Sequence, residues 1–356
     1  MIRTLFSFIK RQRIYVIIAL FLLAVQLVFT YSERKFQPKS SPKAESSRLS
    51  ILEDDLKIRE KLLESLSKKE NSFAVRMIFF FIIGTVLSFL FGLGLLIYCM
   101  GQKMSGKRLI RPFIEDNETP AWGVGDILKI AVLFLFFGYS IHIVEAFSFW
   151  LFRIKVFDGN LFALINTALV DIILIFVILY FVRVKYKHTL RALGITVKNF
   201  LKAVLTGIVG YISFIPILIF VFILVIIFVN LFHYKPQPQP IFEIFFEEKR
   251  TMVLTYLIVL ISIIGPIAEE IFFRGFAYGA LKKKWGALTS ALITSAVFAS
   301  LHANIVGFFP IMVLGLLLVY LYEKSGSLIP SITVHVIHNA ILAVFMLAIK
   351  ELAGML

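Results

Sequence analysis

The chain has 356 residues, of which 59% are hydrophobic and 17% charged, with a formal net charge of +15 and a mean hydropathy of +0.90. A soluble core of this length cannot hide so much apolar surface, so the bilayer is the solvent for most of the chain. The basic balance sits in short loops between apolar runs, which explains it without nucleic acid, and the single cysteine, Cys99, excludes an intramolecular disulfide and any zinc site that needs several thiolates.

Apolar runs of about 20 residues, the length that crosses hydrocarbon, recur along the sequence. They predict about nine spans, near 14–31, 74–99, 127–150, 161–182, 201–232, 251–280, 286–304, 307–322 and 328–349. The expected fold is therefore all-α: a polytopic helical membrane protein whose late helices enclose an intramembrane site. The first run follows Arg3, Lys10, Arg11 and Arg13, and no small-x-small cleavage site comes after it, so it reads as a retained signal anchor.

Between the first two spans, in the segment 32–73, "SERKFQPKSSPKAESS" reads as a linker. The stretch "LSILEDDLKIREKLLESLSKKE" then places Leu49, Leu52, Leu56, Leu63 and Leu66 at near-heptad spacing. That pattern predicts an amphipathic helix, lying on the membrane, self-associating through residues 48–70, or simply solvated. The run 201–232 is longer than a span needs, so it is tilted or broken at Pro216, and "HYKPQPQP" at 233–240 is an extended connection. The basic loops holding Lys103, Lys107, Arg108 and Arg111, then Arg183, Lys185, Lys187 and Arg191, then Lys282, Lys283 and Lys284 share one side. Together with the N-terminus they are assigned to the cytoplasm. The chain divides into an N-terminal anchoring region, 1–120, and a helical core, 121–356.

Ionisable residues at bilayer depth cost at least about 2.5–3.5 kcal/mol each on insertion scales and so demand partners. "GPIAEEIFFRGFAYG", 265–279, carries three in six positions. Glu270 and Arg274 are four apart and share a helix face, whereas Glu269 is turned about 100° away. One carboxylate held ionised and a second left free is the division that general-base chemistry uses, and Gly265-Pro266 breaks the ladder just before it, leaving room for water. The next span carries His302 in "FASLHAN" and the last carries His335, His338 and Asn339 in "HVIHNA". His335 and Asn339 are four apart and could bind a metal, hold a water or donate to a developing oxyanion. His142, Glu145 and Asp171, in earlier spans, read as helix-to-helix hydrogen-bonding groups or a polar lining.

The order of these motifs resembles the type II CAAX prenyl protease family, also called the CAAX-protease and bacteriocin-processing family of intramembrane proteases. The matching residues are Glu269, Glu270 and Arg274 in "EEIFFR", Phe298 and His302 in "FASLH", and His335 and Asn339 in "HVIHN", and the resemblance covers roughly 125–350. It implies that Glu269 activates the attacking water with help from His302. It implies too that Glu270 and Arg274 form a supporting pair, and that His335 and Asn339 stabilise the tetrahedral intermediate. Glu269, His302 and His335 could alternatively complete a zinc site. No HExxH helix is present, and a metal-free glutamate mechanism needs none, so the latter is favoured.

The resulting expectation is an intramembrane endopeptidase acting on a peptide or lipidated-protein substrate within membrane lipid. An ion-coupled transporter and a non-catalytic bacteriocin-immunity or scaffold protein are the rival readings, since carboxylates and His in spans also mark ion paths. On straight helices Glu269 lies about 22 Å from Lys284, while His335 lies about 10 Å from the start of its span. For them to meet, the helix after Arg274 must continue beyond the bilayer or bend, with "GFAYGALKKK" emerging toward the cytoplasm.

Overall fold

The computed structural model describes residues 12–36, 73–114, 118–152, 159–234 and 240–352. The amphipathic helix expected at 48–70 lies outside the described residues. The described chain is helical and contains no strand, as befits apolar segments that must satisfy every backbone group internally. The main helices are α1 (Arg13–Phe36), α2 (Phe73–Met104), α3 (Val124–Phe152), α4 (Gly159–Leu179), α5 (Phe200–Leu231) and the short α6 (Pro240–Glu247). They are followed by α7 (Thr251–Val259), α8 (Gly265–Glu270), α9 (Gly279–Leu301), α10 (Ile305–Ser325) and α11 (Leu328–Leu352).

Seven helical runs among the described residues are long and apolar enough to cross a membrane. The expected spans 251–280 and 286–304 fall within one run, Thr251–Leu301. Gly286, at φ 77° and ψ 173°, turns the chain inside it, a conformation only glycine adopts without strain. The helix that follows Arg274 therefore continues to Trp285 and bends there. Within α1, the shorter stretch Arg13–Ala24 is apolar.

The long run 201–232 is not broken: α5 is continuous through Pro216, so of the two expectations for it, tilted or broken, the break is excluded. Pro216 has no N–H, which leaves the carbonyl of Ile212, four residues back, without its helical donor. That carbonyl abuts α2 at Gly92, where an added Cβ would stand 2.2 Å from Ile212 O and 3.0 Å from Pro216 Cδ. Only glycine permits that approach, which brings its Cα–H to the orphaned oxygen. Nearby, Phe81 of α2 stacks on Phe345 of α11 at 4.5 Å.

Two apolar clusters frame the stretch that carries the paired glutamates. One gathers Phe245, Leu257 and Leu260 with Leu164 of α4; the other gathers Ile271, Phe276 and Tyr278 with Trp122, Ile178 and Leu193. Residues 265–270 lie between them, anchored on both sides. A third cluster joins Tyr211, Leu318, Leu321 and Val334, and Ser331 Oγ donates to Leu318 O at 2.8 Å, fixing α11 to α10.

The basic loops meet at one end of the bundle. Lys282 pairs with Glu323 at 2.6 Å, Lys283 donates to Pro120 O at 2.5 Å, the Phe113 amide donates to Ser325 O at 2.7 Å, and the Leu328 amide donates to Gly194 O at 2.9 Å. Lys185 meets Asp126 there at 2.6 Å.

Candidate active site

The glutamate pair sits on a helix that changes register twice. Leu260–Ile264 and Ile271–Tyr278 are π-helical, and α8 runs between them. In the first π segment the Gly265 amide reaches back five residues to Leu260 O. The next such bond would run from residue 266 to Ile261 O, but Pro266 has no N–H to give. Asn339 of α11 fills that vacancy, its Nδ2 donating to Ile261 O at 2.8 Å. The expected break in the ladder exists, and Asn339 rather than water satisfies it; one of its two N–H donors is thereby committed.

Glu270 is fully buried. Its Oε1 accepts from Arg274 NH1 at 2.7 Å and lies 2.9 Å from His335 Nδ1. The i,i+4 pairing expected for Glu270 and Arg274 is thus present, and both groups are withdrawn from solvent. Arg274 also approaches Gly315 O at 3.4 Å and lies over the Phe298 ring, 4.6 Å from its centroid. Gly315 has no room for a side chain, because Ser295 Cβ would stand 3.0 Å from its Cβ. A buried guanidinium with a carboxylate, a carbonyl and an aromatic face satisfies the requirement that buried charge be paired.

Beside an Arg-paired carboxylate, the His335 Nδ1 must be the donor, which makes Nε2 the variable atom of that ring. His335 Nε2 lies 3.5 Å from Glu269 Oε2, and the Glu269 side chain is 36% exposed while that of His335 is 3% exposed. One imidazole therefore bridges two unlike carboxylates, one sealed and one open. A water held about 2.8 Å from both Oε2 and Nε2 fits such a separation.

His302 stands differently. Its Nδ1 lies 3.0 Å from Phe298 O, and since a carbonyl only accepts, that nitrogen carries the proton. The Phe298 ring packs against both imidazoles, with centroids 4.9 Å from His302 and 5.6 Å from His335. Among the described residues no three His, Cys, Asp or Glu side chains are grouped as a metal ion requires. Glu269, His302 and His335 as placed do not form a zinc donor set, because the Nδ1 of each histidine is committed and Phe298 packs against both rings.

Of the residues assigned to helix packing, His142 fulfils that role, with Nε2 2.7 Å from Asn166 Nδ2. Asp171 does more. It lines an open pocket of about 390 Å³ between α3 and α4, and its Oδ2 would lie 3.9 Å from a Cβ on Gly265, one helical turn from Glu269. The two carboxylates are close enough to feel each other's charge. The hydropathy pattern marked Asp171 as costly in a span; only the packing of α4 on α8 shows which site it adjoins. His338, turned away from the glutamates, is 2.9 Å from the Tyr211 hydroxyl.

Fold and site together define a polytopic all-α membrane protein with a carboxylate–imidazole–carboxylate cluster inside its helical bundle. Its C-terminal region, 251–341, matches the family model "Type II CAAX prenyl endopeptidase Rce1-like" and belongs to that family. Over 91 residues, 26% of the chain, it is 31% identical to the "Putative membrane peptidase YdiL" of Bacillus subtilis (strain 168), covering 37% of that protein. Over 77 residues, 21% of the chain, it is 31% identical to the "UPF0177 protein YxdF" of Lactococcus lactis subsp. lactis (strain IL1403), covering 42% of it. The aligned part of the chain spans less than half the length of either relative. No solved structure matches the chain.

Proposed function

We propose that the chain is an intramembrane endopeptidase in which Glu269 activates water against a peptide carbonyl. The observation that carries this reading is His335 set between the two carboxylates, Nδ1 2.9 Å from Glu270 Oε1 and Nε2 3.5 Å from Glu269 Oε2. Glu270, neutralised by Arg274, fixes the ring and its tautomer. Glu269, the exposed member, takes a proton from the water as it attacks and returns that proton to the departing amine. His335 Nε2 orients the same water, and the second N–H of Asn339 is available to the oxyanion. His302, held by Phe298 O, supports the Phe298 ring on which Arg274 lies. The family match of 251–341 supports the peptidase reading at the level of the fold's C-terminal region. Membrane lipid is the medium, and the substrate is a peptide or a lipidated protein, through CAAX-type C-terminal processing or peptide maturation.

The test is hydrolysis of a farnesylated CAAX peptide and of an unlipidated peptide panel by the purified protein in lipid nanodiscs, with mass-spectrometric detection of products. Wild type is expected to cleave, and Glu269→Gln to lose about 10²–10⁴-fold in rate while remaining folded. Cleavage that survives Glu269→Gln undiminished overturns the assigned role.

A further inference from the structure

At the end of the bundle where the basic loops meet, α2 and α10 finish side by side. A groove of about 410 Å³ opens there, lined by Lys103, Lys107, Arg108, Tyr320, Glu323 and Lys324. It is not the site described above, and its cations differ from ordinary loop charges in two respects. First, they are fixed. Gly106, at φ 75°, ends α2 with paired bonds, its amide to Lys103 O and the Lys107 amide to Gln102 O, both 3.0 Å. This is a Schellman closure that sets the direction of Lys107. Further along, Ile110 packs into the cluster of Leu318 and Leu321, and the Phe113 amide donates to Ser325 O, pinning the loop to α10.

Second, their charge is unanswered. The groove's one carboxylate, Glu323, is already engaged by Lys282 at 2.6 Å and by the Tyr278 hydroxyl at 3.0 Å. Among the described residues Lys103, Lys107, Arg108 and Lys324 form no ion pair with a carboxylate. Four cations around a preformed concavity, at the level where the apolar stretches Val75–Met104 and Ile305–Ser325 both end, select a phosphate at the headgroup plane.

We propose that this groove is a binding site for the phosphate of an anionic phospholipid. The acyl chains would run along the exposed apolar face of α2, where Ile97 and Met100 are uncovered. The Tyr320 hydroxyl is placed at the groove to donate to the same phosphate.

The full-length protein would be released from nanodiscs made of equal parts phosphatidylglycerol and phosphatidylcholine, and retained lipids counted by native mass spectrometry. Wild type is expected to retain phosphatidylglycerol over phosphatidylcholine by about tenfold. The exposed triple variant K103Q/K107Q/R108Q should lose that preference. R191Q/K198Q/K202Q, which removes equal charge from the same end without touching the groove, should keep it. Absence of preference in wild type, or equal loss in both triple variants, overturns the proposal in favour of diffuse surface charge. If millimolar inorganic phosphate displaces the retained phosphatidylglycerol and stabilises the protein against heat as well as the lipid does, the groove is a soluble-anion site and the lipid assignment falls.

Discussion

Glu270 and His335, sixty-five positions apart, share a 2.9 Å hydrogen bond where neither side chain meets solvent. The bond ties α8 to α11 through a carboxylate that Arg274 already neutralises, so three buried polar groups depend on one another. Removing a single partner leaves the others uncompensated in an apolar interior.

Glu270→Ala should therefore destabilise the protein by about 3–5 kcal/mol, the scale for breaking a buried ion pair. Thermal unfolding in detergent would measure this. Glu269→Ala, at a partly exposed position, should cost far less, and equal losses at the two positions would contradict the division between sealed and open carboxylate.

The Asn339–Ile261 contact makes a prediction about a pair. Asn339→Leu leaves the Ile261 carbonyl without a donor, at a cost of about 1–3 kcal/mol. Pro266→Ala supplies the missing N–H in register, so the double variant P266A/N339L should recover part of that loss. A double-mutant cycle in thermal stability reads the coupling, and strict additivity would dismiss the vacancy as the reason for Asn339's position.

Gly92 and Gly84 lie two turns apart on α2 but should respond to alanine with opposite sign. At Gly84 nothing lies within 4 Å of an added Cβ, so Gly84→Ala should gain up to about 1 kcal/mol of helix propensity. At Gly92 the new methyl would meet Ile212 O at 2.2 Å, and Gly92→Ala should lose about 1–3 kcal/mol through forced separation of α2 and α5. Comparing melting temperatures of the two variants decides it.

Outside the spans, Glu118 clasps the chain at His188 and Thr189. It accepts from the Thr189 hydroxyl at 2.6 Å and its amide at 3.1 Å, and lies 2.7 Å from His188 Nδ1. The hydroxyl bond above all, then the His188 bond, holds its carboxyl at about 2 against an ordinary 4.5. A depressed acid stabilises the fold fully above its unfolded value and loses that contribution as pH falls through its folded value. The clasp should thus stay closed at neutral pH and open between about 4.5 and about 2. Trp122 reports it, being buried, stacked on Phe276 at 4.9 Å and edge-on to His188 at 5.8 Å. Its fluorescence should shift to the red over that window, and Glu118→Gln should abolish the transition.

How much of this was written in the sequence depends on the range of the interaction. The spans and the three polar motifs are legible because hydropathy and the cost of intramembrane charge act on each segment by itself. Glu270–Arg274 is legible because i,i+4 spacing alone brings them together. The Gly92–Ile212 approach, the placement of Asp171 beside α8 and the separate roles of His302 and His335 are not, since each depends on how two distant helices are rotated about one another. His302 illustrates the limit: the motif includes it beside His335, but Phe298 packs against both rings, and the motif alone does not predict that arrangement.

The two π-helical stretches around α8 carry a final consequence. A π turn holds an additional residue compared with an α turn. Deleting any one residue from 260–264 would therefore leave a good, even better, helix, yet spin everything after it by about 100°. Glu269 would then swing off the imidazole of His335 while the span still inserted. Spacing along the chain, independently of residue identity, is thus part of what assembles this cluster, and a single-codon deletion there would silence it without unfolding it.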